Sequence, residues 1–125
     1  MQYSAIVNKT IEAYKAAGEE TRLRILRLLQ LAPGELCVCE LVDVLKKPQY
    51  TVSKNLTVLK KADLVEERRE GKLMMYRLIH SPFNDKLFES IDELPDAEPL
   101  YAADSQRLAK RLALRENGKC IITYR

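Results

Sequence analysis

At 125 residues, 46% hydrophobic and 31% charged, the chain suits one domain with a real core, and its composition excludes disordered and collagen-like classes. The formal net charge is only +3, and no apolar run approaches the ~18 residues of a membrane span. Three cysteines, an odd number, beside an N-terminus (MQYSAIVNKT) without a basic-then-apolar leader argue against a disulfide scaffold and for a reducing cytoplasm.

In chain order, Ile6, Val7, Ile11 and Tyr14 mark a first amphipathic helix over Ser4–Ala17, and Gly18 stops it. Thr21–Leu31 (TRLRILRLLQL) is the strongest helical stretch, with Leu23, Ile25, Leu26 and Leu29 apolar and Arg22, Arg24 and Arg27 expected toward solvent. Pro33-Gly34 ends it. Glu35–Cys39 is a short connection that can begin extended, Glu40–Leu45 a brief helix, and Lys46-Lys47-Pro48 a turn. Gln49–Lys61 is a helix with Val52, Leu56 and Leu59 on one stripe. Val65–Arg69 and Leu73–Ile79 read as two strands around a glycine tip. Ser81-Pro82 caps a helix carrying Phe83, Leu87, Ile91 and Leu94, and Pro95–Pro99 breaks it. A last helix spans Leu100–Glu116, with Asn117-Gly118 as its stop, and Lys119–Arg125 has strand-like composition. The order describes a mainly α fold with a small β-hairpin: a winged helix-turn-helix in one domain, 1–125, with additional terminal helices near 4–17 and 82–116. Their apolar stripes exceed what a small three-helix core needs, so they are the expected dimerisation surfaces.

The charge is concentrated. From Lys46 to Lys72 eight Lys/Arg face four Asp/Glu, a local +4, so the remainder sums to −1. On Gln49–Lys61 the side opposite the apolar stripe carries Tyr50, Ser53, Lys54, Thr57 and Lys61, a small-polar and cationic face able to enter a DNA major groove. Gln49, Tyr50, Thr51, Ser53, Lys54 and Thr57 are the candidate groove residues, Lys60 and Lys61 lie along phosphates, and Arg68, Arg69 and Lys72 of the hairpin reach the adjacent backbone or minor groove. Glu66, Glu67 and Glu70 temper the hairpin's charge. No nucleophile–base pair or glycine-rich phosphate loop points to an enzyme.

Cys37 and Cys39 are two apart. In a regular helix they point ~200° apart, whereas in extended backbone they share a side, so chelation by both requires a non-helical ELCVC. Thiolates select soft ions. Two small core fillers are the alternative. Cys120 is the candidate third thiolate, from its own subunit or across a dimer, with water, hydroxide or a small thiol as other sources. His80 is the only histidine, and the carboxylates of Asp85, Glu89, Asp92 and Glu93 alone make a poor zinc site.

Four ordered blocks, TRLRILRLL (Thr21–Leu29), ELCVCEL (Glu35–Leu41), TVSKNLTVLKKADLV (Thr51–Val65) and RREGKLMMYRL (Arg68–Leu78), resemble the ArsR/SmtB family of metal-responsive repressors. ELCVCEL is similar to its arsenite-sensing branch. The resemblance implies a homodimer on a palindromic operator of double-stranded DNA, needing no cofactor to bind and released when As(III) or Sb(III) meets the cysteines. It implies no membrane partner. Val42 stands where that branch commonly carries a further cysteine, and Pro48 where a Ser or Thr commonly caps the groove helix. Two other readings stay open: a repressor responding to thiol oxidation through Cys37–Cys39 or Cys37–Cys120, and a winged-helix module whose basic surface meets a protein.

Overall fold

The computed structural model describes residues 4–122. The elements run α1 (Ala5–Ala17), α2 (Glu20–Leu31), β1 (Leu36–Cys37), α3 (Val38–Leu45), α4 (Gln49–Lys61), β2 (Val65–Glu70), β3 (Leu73–Leu78), α5 (Pro82–Asp92) and α6 (Pro99–Leu112). Local chemistry explains most boundaries. Ser4 Oγ accepts the Val7 amide to start α1, and Ser81 Oγ accepts the Asn84 amide to start α5 ahead of Pro82. At α4 the N-cap position is Pro48, which offers no side-chain acceptor, as its place in the sequence implies.

Ile25, Leu26 and Leu28 of α2, Leu41 and Val44 of α3, and Val52, Leu56 and Leu59 of α4 are fully enclosed together with Leu64 and Val65. Each of these side chains contributes roughly 1.5–3 kcal/mol by leaving water. The apolar stripe expected on Gln49–Lys61 is therefore the core face of α4. The expected two-stranded hairpin is instead part of a three-stranded antiparallel sheet in the order β1-β3-β2. Leu36 and Cys37 pair with Tyr76 and Met75 on the free edge of β3, which supplies backbone partners that the hairpin leaves unused. This is the winged helix expected from the sequence, with one added strand.

The C-terminal helix changes the reading of α2. Arg24 and Arg27, expected toward solvent, are each only 5% exposed. The reason is α6, which lies across α2 and α3. Arg24 Nε and Nη2 donate to Asp104 Oδ2 and Oδ1 at 2.8 and 2.9 Å, and Arg27 donates to the Tyr101 carbonyl, Asp96 and Ser105. Arg22 is also taken up, donating to the Ala16 carbonyl and to Asn55 Oδ1. Leu108 of α6 is buried in the common core. The helix ends at Leu112, earlier than the expected Glu116. Asn117-Gly118 does a different job from a helix stop. Both have positive φ (53° and 75°), and Glu116 and Lys119 exchange backbone hydrogen bonds of 2.9 Å around them, so the dipeptide is a two-residue hairpin turn. Part of the strand-like tail, residues 123–125, lies outside the described residues.

Candidate functional site

The sequence placed Cys37 and Cys39 on a segment that must leave the helix for both sulfurs to face one way. The segment meets this only in part, because it is extended up to Cys37 and helical from Val38. Cys37 is the extended N-cap of α3 (φ −88°, ψ 162°) and Cys39 sits in the first helical turn. Their sulfurs are paired as a disulfide, with the two Cα atoms 5.5 Å apart. The turn at Asn117-Gly118 then returns the chain so that Cys120 Sγ lies 3.5 Å from Cys37 Sγ and 3.7 Å from Cys39 Sγ. All three sulfurs lie within 4.8 Å of one another. Cys37 and Cys39 are buried against Met75, and Cys120 is a half-buried free thiol. All three come from one subunit.

A residue not singled out in the sequence organises this corner. Glu40, fully enclosed, accepts the Cys37 amide at 3.0 Å through Oε1. The same carboxylate receives Arg115 in a two-pronged pair, Nε to Oε2 and Nη2 to Oε1, both 2.7 Å. The signal for its role was present: Cys37-x-x-Glu40 has the spacing of a reciprocal helix N-cap, with cysteine in the place of serine. Electrostatics at Cys120 oppose one another. Burial pushes its thiol up, the Glu40 carboxylate adds to that, and the Arg111 and Arg115 guanidinium groups pull it back down.

A cleft of about 470 Å³ joins this site to the candidate reading surface. It is lined by Cys37 and Cys39, by Gln49 and Ser53 of α4, and by Lys72 and Tyr76 of the wing. On α4 the side chains of Gln49, Tyr50, Lys54, Thr57, Lys60 and Lys61 are exposed, Tyr50 at 77%, and Thr51 and Ser53 are half-buried. The cationic groups are not equivalent. Lys60 donates to Glu67 Oε1 at 2.6 Å, and Arg68 forks onto Glu35 at 2.6 and 3.1 Å. The hydrogen bond from Arg68 holds the Glu35 carboxyl below the usual range, and those from Lys60 and Tyr76 do the same for Glu67. Burial, with Glu67 second, pushes the Tyr76 hydroxyl up to about 12. Lys54, Lys61, Arg69 and Lys72 have no ion pair among the described residues and stand exposed. His80 lies 2.7 Å from Asp85 and outside the sulfur cluster.

Residues 19–67 match the family described as bacterial regulatory protein, arsR family. The HTH-type transcriptional regulator MJ1325 of Methanocaldococcus jannaschii is 43% identical over 86 residues, covering 69% of this chain and 94% of that protein. The chain belongs to the arsR family. It is a transcriptional regulator, and its relatives are regulators, not enzymes. The arsenical resistance operon repressor of Escherichia coli is 41% identical over 68 residues, 54% of this chain and 57% of the repressor, so the arsR-family chain spans little more than half of that relative. HlyU from Vibrio cholerae has the same fold, with a TM-score of 0.64 at 30% identity over 74% of this chain and 97% of that one. Among the described residues of this arsR-family chain, no helix is long and apolar enough to cross a membrane.

Proposed function

We propose that this arsR-family regulator is a homodimeric repressor that leaves a palindromic operator when As(III) or Sb(III) binds Cys37, Cys39 and Cys120. The observation that carries the reading is three sulfurs of one subunit within 4.8 Å of one another, at the start of the helix that leads into α4. Thiolates suit a soft trivalent ion. Arsenite in its neutral trihydroxide form exchanges three As–O bonds for three As–S bonds, and each departing hydroxyl takes a thiol proton to leave as water. No electrons move, so the reacting form is the reduced one, with the Cys37–Cys39 bond opened by a cellular thiol. Drawing three sulfurs onto one atom reshapes the α3 N-terminus and the cleft wall it shares with Gln49, Ser53 and Lys72. The DNA surface is Gln49, Tyr50, Thr51, Ser53, Lys54 and Thr57 in the groove, with Lys60, Lys61, Arg68, Arg69 and Lys72 toward phosphates. Exposed Ile6 (80%), Val7 and Tyr14 on α1, with Phe83 of α5 against Tyr14, support self-association through that face. A two-fold dimer sets the half-sites about one DNA turn apart, ~34–36 Å.

The test is a mobility-shift titration of the reduced protein on its own upstream DNA. Arsenite releases the wild type, and Cys37→Ser holds on. A Cys37→Ser protein that still responds fully refutes the sensor. The Cys37–Cys39 disulfide favours a second reading, in which thiol oxidation is the signal and Cys120 exchanges with the pair. Release by peroxide, with no response to arsenite under reducing conditions, selects it.

A further inference from the structure

The two cysteines of the ELCVC segment lie inside the stretch matched to the family, residues 19–67, whereas Cys120 lies far beyond it. Something must hold the C-terminal arm against α3 for the three sulfurs to meet. We propose that Arg115, seated on Glu40, is the positioning residue that delivers Cys120 to the cluster, an inference that rests on the sensor reading above.

Glu40 stands three residues from Cys37 and next to Cys39, and its carboxylate does two things at once. Oε1 accepts the Cys37 amide, and both oxygens grip Arg115. Arg115 Nη2 also donates to the Glu35 carbonyl at 2.8 Å, so one guanidinium spans the backbone before β1 and the first turn of α3. Neither side chain is free to wander, at 0% exposure for Glu40 and 9% for Arg115. From this anchor the chain makes only the Glu116–Lys119 turn before reaching Cys120. A short hairpin with both turn residues at positive φ has little slack, so fixing Arg115 fixes the sulfur. A second hold exists further on, where Arg111 meets the Ile122 carbonyl and Asp43. This hold reaches α3 through Asp43, a full turn away from the Cys37 end that Arg115 and Glu40 share. The partners of Arg115 are the ones that also shape Cys37, so a single pair registers one ligand residue against another.

Losing one member of a buried pair strands a charge, so the variant to compare is the neutral double Glu40→Gln/Arg115→Gln, beside Arg115→Gln and Arg115→Lys. Two measurements decide the proposal. In reduced protein without arsenite, at a pH high enough to ionise the thiol in every variant, Cys120 is alkylated by iodoacetamide slowly in the wild type and several-fold faster in both glutamine variants. Lysine, which keeps the charge but loses the fork, falls between. With arsenite, X-ray absorption counts three sulfurs around arsenic in the wild type and two in the variants. Affinity drops about 10–100-fold, the range for outer residues that orient a ligand set. Operator binding without arsenite is unchanged. Adding Cys120→Ser to the double variant causes no further loss, because both changes remove the same sulfur. An unchanged Cys120 alkylation rate, or losses that simply add, overturns the proposal. If the wild type binds no arsenite, the sensor reading fails instead, and the alkylation rates alone decide whether Arg115 places the arm.

Discussion

Replacing Asp104 with alanine tests whether the C-terminal helix is part of the folded domain or an accessory laid upon it. Asp104 is completely enclosed and accepts three N–H groups, two from Arg24 (2.8 and 2.9 Å) and one from Arg107 (2.9 Å). Its loss leaves Arg24, 5% exposed, with a long contact to the Leu45 carbonyl (3.4 Å) and an ion pair with Glu20 at 3.7 Å. Removing one partner of a buried pair costs about 3–5 kcal/mol, and the remaining Glu20 pair argues for the lower end, about 3 kcal/mol. For a domain of this size that lowers Tm by about 10 °C. Thermal denaturation followed by circular dichroism at one fixed protein concentration measures it, since self-association adds to apparent stability. The double change Arg24→Met/Asp104→Leu recovers most of the loss, because an apolar pair of similar volume strands no charge. If Asp104→Ala costs under about 1 kcal/mol, α6 is not seated on α2 as described, and the placement of Cys120 loses its foundation.

The acid limb of stability follows from the carboxylates. Glu35 and Glu67 have folded-state pKa values held below their unfolded ones by Arg68 and by Lys60 with Tyr76, so their stabilisation is complete above the ordinary carboxylate range, about pH 4.3, and is lost as pH falls through the lowered values. Tm at pH 7 therefore exceeds Tm at pH 3, and a flat profile contradicts those pairs. On DNA, Lys61→Ala, at a site placed along phosphates, weakens binding and lowers the slope of log affinity against log salt by about 1. An unchanged slope places Lys61 off the backbone.

Much of the fold was legible because its signals are local. Gln49–Lys61 is α4 at both ends, and the Ser81-Pro82 cap and glycine-tipped hairpin stand where the sequence put them. What periodicity cannot show is what covers a face. It separated Arg24 and Arg27 from the leucines correctly, but the polar side of α2 is enclosed by a helix about eighty residues later that brings its own carboxylate. Asn117-Gly118 fails differently. Positive φ is what a helix stop and a hairpin turn both require, so the dipeptide alone does not choose between them. The backbone pairing of Glu116 with Lys119 shows which of the two it is here.

That distinction bears on how the regulator divides its labour. The α4 face and the wing depend on contacts within the winged helix, and residues 19–67 are the stretch that matches the family description. The third sulfur depends on contacts that no local pattern specifies: Arg24 with Asp104, Glu40 with Arg115, and a turn that points the chain back. The C-terminal segment can therefore change which ligand completes the cluster without altering the α4 face, because the anchors described lie on α2 and α3, on the Glu35 carbonyl and, through Lys119 and Glu70 at 4.0 Å, on the wing. On the function proposed above, changes to the arm would alter the response, and changes to α4 would alter the operator.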